Sequence, residues 1–222
     1  MKKNLFILCL CFCFCITEAN TQSLKQNFNI SLGGGFQHYK GDLGSSFLEV
    51  KDACWYGSVN LNLSVKLTKS FDAGIFLAKG DYGYCQPKEM RDQIVAEDLR
   101  CTGCKDRLGM GNLSSRMSSA GVLVKYKFAN NYILKESSLF KPYLFVGIGY
   151  NKLVDIMKRD CVNEGNYISY NGGFGVTYDI TNRINLSYNL NFGYFNSDKI
   201  DLINDGTNDA FMQNTFLLGF NF

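Results

Sequence analysis

RINLSYNLNFGYF, residues 183–195, alternates residue by residue. From Ile184 to Phe192 every even position is apolar: Ile184, Leu186, Tyr188, Leu190 and Phe192. The positions between them, Asn185, Ser187, Asn189 and Asn191, are polar, and Gly193 continues that set. Successive side chains of a β-strand point to opposite faces, so a period of two makes one face greasy and the other wet. The fold turns on what the greasy face meets, a protein core or a lipid.

The chain opens MKKNLFILCLCFCFCITEA, with Lys2 and Lys3 ahead of an apolar run from Leu5 to Ile16 and small residues, Thr17 and Ala19, at its close. These are the three parts of a secretory signal peptide. The run is about 12 residues, short of the ~20 that a membrane-spanning helix needs. Cleavage is expected near Ala19, giving residues 1–19 as signal peptide and 20–222 as one exported domain. Removing Lys2, Lys3 and Glu18 from 23 basic and 20 acidic residues leaves 21 against 19, a balance without the basic excess that marks nucleic-acid binding. The chain has only two prolines, so a proline-rich linker is absent.

The pattern recurs in seven further runs: NFNISLGGGFQHY from Asn27, SVNLNLSVKL from Ser58, FDAGIFLAKG from Phe71, SSAGVLVKYKF from Ser118, PYLFVGIGYN from Pro142, YISYNGGFGVTYDI from Tyr167 and MQNTFLLGFNF from Met212. Of these, PYLFVGIGYN is apolar on both faces apart from Gly147 and Gly149. Each run spans roughly the 9–11 residues of a tilted transmembrane strand. The connections Leu67–Phe71 and Ile180–Ile184 are tight, while Tyr39–Tyr56, Gly80–Met117, Asn151–Tyr167 and Asn196–Phe211 are long, and Asn130–Lys141 is intermediate. Short periplasmic turns and long outer loops characterise outer-membrane barrels. Eight strands can close, leaving no unpaired edge in hydrocarbon. The alternative, a secreted sandwich or lipocalin-like barrel, would show Lys and Glu on its wet faces. Here those faces carry Asn, Ser, Gly and Thr, which suit a narrow hydrogen-bonded interior. The expectation is therefore all-β: a closed eight-stranded antiparallel transmembrane barrel with a filled lumen. Aromatics near the strand ends, among them Phe28, Tyr39, Trp55, Tyr56, Phe71, Tyr126, Phe128, Tyr143, Tyr150, Tyr167, Tyr178, Tyr194 and Phe211, are read as interfacial girdles.

The last run ends with Phe216, Leu218, Phe220 and Phe222 on one face. A strand closing on a terminal aromatic resembles the signal read by the outer-membrane barrel-assembly machinery. With Tyr39–Leu43, Pro142–Tyr150 and Gly173–Tyr178, the chain resembles the small outer-membrane β-barrel domain proteins of Gram-negative bacteria, within them a porin-like group of uncharacterised barrels. The resemblance implies a place in the outer membrane, contact with its lipid, and a role in an envelope or secretion complex with another envelope protein.

Phe76, Leu123, Tyr143, Phe145 and Leu217 are expected to point into the lumen, which leaves general diffusion through an open pore disfavoured. Lys66, Lys125 and Lys127 are expected toward the periplasmic end of the lumen, near Asp72 and Asp179. They read either as a structural ion-pair network, which is preferred because buried charges pair, or as a narrow ion path. After Ala19 the cysteines are Cys54, Cys85, Cys101, Cys104 and Cys161, all in outer loops or at their edges. Outside the cytoplasm they are expected to form two disulfides with one thiol over, and connectivity is not fixed by the sequence. A zinc site from Cys85, Cys101, Cys104 and Cys161, or redox chemistry at Cys101-Thr-Gly-Cys104, is weaker for want of a second paired motif or a thioredoxin-like unit.

Asp201–Asp209 matches a calcium loop only in part, failing at Ile203 and Met212, and reads as a polar loop. His38, the sole histidine, lacks a serine and acid fixed beside it and reads as a girdle residue. Gly109-Met-Gly111 lacks the lysine of a phosphate loop, and Lys88–Arg107 reads as a short amphipathic cap. No cofactor or metal is implied. The favoured function is a non-enzymatic outer-membrane barrel that anchors or binds through disulfide-stapled outer loops. The alternatives are a small enzyme modifying outer-leaflet lipid and a narrow channel.

Overall fold

A computed structural model describes residues 28–40, 56–85, 112–154, 164–198, 200 and 208–222. Its strands are β1 (Phe28–Lys40), β2 (Tyr56–Lys66), β3 (Phe71–Cys85), β4 (Asn112–Lys127), β5 (Phe140–Val154), β6 (Gly165–Asp179), β7 (Ile184–Phe195) and β8 (Ala210–Asn221). Each pairs antiparallel with its sequence neighbours, and β8 returns to β1, so the sheet closes into a barrel. At the seam, Phe28 and Phe222 exchange backbone hydrogen bonds of 2.8 and 3.4 Å.

The alternation read from Ile184–Phe192 is the alternation of the wall. Asn185, Ser187 and Asn189 are buried inside, while Leu186 and Tyr194 face out. Opposite strands obey the same parity. Val59, Val122, Val146 and Ile148 are half or more exposed on the outside, whereas Ser31, Asn60, Ser119, Asn171 and Thr215 are buried within. An exterior of bare Val, Ile, Leu and Phe would be untenable in water at this extent and is the surface a hydrocarbon phase requires.

Two turns share one device. Thr68 Oγ1 accepts from the amides of Ser70 and Phe71 at 3.2 and 2.9 Å, and Thr181 Oγ1 accepts from Arg183 and Ile184 at 3.2 and 3.0 Å. A threonine hydroxyl that satisfies the two following amides stops each strand and reverses the chain within a few residues. The longer β4–β5 connection lies at the same end. Asn131, at φ 69°, takes the left-handed conformation that asparagine tolerates, and its side-chain oxygen accepts from the Glu136 amide at 2.8 Å.

The opposite end departs from expectation in two ways. β3 and β4 run on past Gly80 and Met117 to Cys85 and Asn112, paired throughout, so the expected long loop begins later. The outward parity there turns polar, with Asp81 facing Arg116 at 3.5 Å, which is why no apolar alternation marked this extension. Several aromatics read as girdle residues also turn inward: Tyr39, Tyr143, Tyr167 and Phe211 are all less than a tenth exposed. Their parity is that of Gln37, Phe145, Ser169 and Gln213, lumen residues of the same strands. Residues 1–27, Trp55, the Lys88–Arg107 segment and Gly109–Gly111 lie outside the described residues.

Candidate functional site

The lumen is built in three levels. At the long-loop end a cluster of Tyr39, Tyr82, Met117, Leu153, Tyr167, Phe195, Ile200 and Phe211 fills the bore. Tyr82 packs edge-on against both Tyr39 and Phe195, at 5.8 and 5.9 Å between ring centroids. Tyr39 donates its hydroxyl to Asp209 Oδ1 at 2.6 Å, and Asp209 Oδ2 accepts from the Ile200 amide at 2.9 Å. Asp209 is thus tied into this cap, while the rest of the partial calcium-loop match, residues 201–207, is not described. His38, read as a girdle residue, stands next to the cap on the outward parity, opposite Met212, and is only 6% exposed.

In the middle level, and at its borders with the cap and the vestibule, large inward rings stand opposite glycines across the sheet. Phe76 faces Gly121, Phe145 faces Gly173, Tyr143 faces Gly175, and Phe211 faces Gly193. A Cβ on Gly173 would lie 2.8 Å from the Phe145 ring, and one on Gly121 would lie 2.5 Å from that of Phe76. The rings take up part of the space a side chain would need, and backbone carbonyls approach closer still, Leu190 O at 2.0 Å from the Gly173 Cβ position and Ile148 O at 2.3 Å from that of Gly121. Amides fill the remaining space: Gln213 Nε2 donates to Gln37, Ser58 and Asn60 at 3.1–3.2 Å, and Asn151 Nδ2 donates to Ser169 at 2.8 Å. The gap left among these side chains is about 40 Å³, near the size of a single water. Phe76, Leu123, Tyr143, Phe145 and Leu217 all face inward, in line with the sequence pattern.

At the short-turn end the lumen opens into a vestibule of about 600 Å³ lined by Lys66, Asp72, Lys125, Lys127 and Asp179, the lumen charges picked from sequence, together with Glu136 and Lys141, which were not. Lys127 pairs with Asp72 at 2.5 Å. Asp179 takes Lys141 at 2.6 Å, and Lys66 reaches neither aspartate but Glu136, at 2.7 Å. The β4–β5 connection is therefore tied to β2, across β3, at the mouth. Lys66 donates a hydrogen bond to Glu136 and so holds that carboxyl below the usual carboxylate range. Lys125, partly buried on β4, has its ammonium 5.2 Å from the centre of the Tyr143 ring. Glu136 and Lys141 escaped the sequence reading because Glu136 lies in the β4–β5 connection and Lys141 at the very start of β5, where no alternation assigns a face. The signal that could have found them is the surplus of lysines over acids on the inward parity.

Cys85 closes β3 opposite Asn112, at the long-loop end, and Cys54, Cys101, Cys104 and Cys161 lie outside the described residues. Phe216, Leu218, Phe220 and Phe222 lie on the exterior of the closing strand, each more than two-fifths exposed. Beside them Asn214, an amide on the apolar side, accepts the Tyr188 hydroxyl at 2.6 Å, so its carbonyl and that hydroxyl answer each other without water.

Comparison with known proteins agrees with this geometry. A family model of the outer membrane protein beta-barrel domain matches residues 6–222. Neisserial surface protein A is similar over 88% of this chain and 97% of its own, with 14% identity and a TM-score of 0.55. The attachment invasion locus protein of Yersinia pestis, solved with the heparin analogue sucrose octasulfate, covers 90% of this chain and 100% of its own at 13% identity and TM-score 0.48. For the N-terminal barrel domain of OprF from Pseudomonas aeruginosa the figures are 89%, 98%, 14% and 0.47. A search of curated proteins found no match.

Proposed function

This chain belongs to the outer membrane protein beta-barrel domain family and resides in the bacterial outer membrane, and from that premise we propose that it is a non-enzymatic anchor or binding protein. One observation carries the reading. The bore is blocked at the loop end by the buried Tyr39–Tyr82–Phe195–Phe211 packing, so a solute would have to displace tightly packed rings to cross. With transport disfavoured, the loops and the two rims of the barrel remain as working surfaces. The outer loops carry Cys54, Cys101, Cys104 and Cys161, with Cys85 at the end of β3, and two disulfides among the five would hold binding segments in place. The partner on this reading is another envelope protein, within an envelope or secretion complex, and Phe216, Leu218, Phe220 and Phe222 serve the assembly machinery.

Crosslinking in intact envelopes followed by affinity capture is expected to recover a defined envelope protein. Recovery should fall when the outer loops are shaved by protease without barrel loss. A deletion strain whose outer-leaflet lipid lacks a modification restored by the wild-type gene would overturn the non-enzymatic reading. Thiol counting by mass spectrometry checks the staple: at most one free thiol after Ala19 is expected, and four or five with bound zinc would replace it with a metal site.

A further inference from the structure

The vestibule at the periplasmic end carries, among its described lining residues, four lysines against three carboxylates, an excess of one positive charge. Among the described residues lining it, Lys66, Lys127 and Lys141 each have a carboxylate within 2.7 Å, and these pairs engage all three carboxylates. Asp72 stands opposite Lys125 in the sheet register, yet its Oδ1 goes to Lys127. Lys125 feels the field of Asp72 but shares that carboxylate with Lys127, and its ammonium lies over the Tyr143 ring, 5.2 Å from its centre. An ammonium drawn partly out of water is costly to keep without a counter-charge, and low-dielectric walls strengthen its pull on one.

Hydroxyl donors stand close by. The Tyr143 hydroxyl, which donates to Asn189 Oδ1, neighbours those of Thr177 and Ser187, and these two are hydrogen-bonded to each other at 2.9 Å across the paired strands β6 and β7. Ammonium and hydroxyls thus line one chamber of about 600 Å³, ample for a small molecule or a chain terminus. The cap at the other end of the lumen leaves the periplasm as its source.

We propose that this vestibule is an anion-binding site, in which Lys125, with the one hydroxyl proton that the Thr177–Ser187 pair leaves over as a further donor, takes a small oxyanion, carboxylate or phosphate, from the periplasm. Carboxylate and phosphate share the needed chemistry, several acceptor oxygens around one negative centre. The β4–β5 connection, pinned by Lys66–Glu136, narrows the mouth and admits small groups rather than folded domains. This inference is independent of any partner at the outer loops.

The test uses the full barrel in phospholipid nanodiscs, in chloride-free buffer, followed by backbone amide shifts in NMR. Inorganic phosphate and succinate are titrated separately into wild type, Lys125→Met, Lys125→Arg and the outward-facing control Lys79→Met. At least one anion is expected to give saturable shifts confined to amides near Lys125, Thr177 and Ser187. Lys125→Met should weaken binding at least tenfold, while Lys125→Arg and Lys79→Met stay within threefold of wild type. A response to phosphate alone identifies a phosphate-bearing ligand, and one to succinate alone an organic acid or a peptide terminus. Should Lys125→Met not fold, the location of the wild-type shifts still decides. Absence of saturation with both anions, shifts outside the vestibule, or a folded Lys125→Met that binds like wild type overturns the proposal.

Discussion

A Cβ built on Gly193 would lie 2.1 Å from two ring carbons of Phe211, and all three of its nearest atoms belong to that one ring. The conflict is between two side chains rather than with the backbone, so it can be relieved from either side. Gly193→Ala is expected to destabilise the barrel by about 1–3 kcal/mol through overpacking. Phe211→Leu should remove most of that penalty in the double variant, and a coupling of about 1 kcal/mol in a urea-unfolding cycle in lipid is the check. Gly33 is a different case: its Cβ would meet the Phe216 carbonyl oxygen, a backbone atom, so no companion substitution should rescue Gly33→Ala. Complementarity of this kind was only half visible in the sequence. The period of two placed Gly193 in the lumen, but which ring needed the gap depends on the β7–β8 register, and register is set by turn geometry and closure rather than by composition.

At the level of strands and turns, the two faces should respond oppositely to charge. Val146 is 65% exposed on the lipid side of β5, so Val146→Arg is expected to cost about 2–4 kcal/mol in bilayers if it lies near the midplane. Asn189→Ser, on the inward face, should change stability far less, and heat-modifiable gel migration reports both. The β4–β5 connection gives a pH test. Because the hydrogen bond from Lys66 lowers the Glu136 pKa on folding, the pair stabilises the closed turn above the ordinary carboxylate value and loses that contribution as pH falls through the lowered one. Both side chains are more than a third exposed, so the effect is a few tenths of a kcal/mol. Amide exchange in residues 131–139, corrected for intrinsic rates, should therefore accelerate on acidification in wild type and not in Glu136→Gln. Strands were legible wherever one face had to meet lipid. Legibility failed at Asp81–Cys85, where β3 clears the membrane and nothing apolar is required outside, and at Tyr39 and Tyr167, assigned by nearness to a strand end although their parity pointed inward. The partners of Lys66 and Asp179 were hidden because ion pairs across a bore depend on closure, a property no local window contains.

For the molecule as a whole, the packed cap predicts electrical silence: reconstituted in planar bilayers, the protein should show no stable conductance of porin scale. Steady currents would mean that the Tyr39–Phe211 packing opens, and Tyr82→Ala would then be expected to enlarge them. The β1–β8 seam has a consequence for biogenesis. The first strand made finds half of its hydrogen-bond partners on the last strand made, some 190 residues later, as between Asn29 and Asn221. Until β8 arrives, β1 carries an open edge that hydrocarbon penalises severely. Export must therefore precede closure, and the unfinished chain needs an attendant that covers its edge in the interval. Loss of β8 would deprive two strands of a neighbour at once, so a shortened chain should fail outright instead of inserting as a smaller ring.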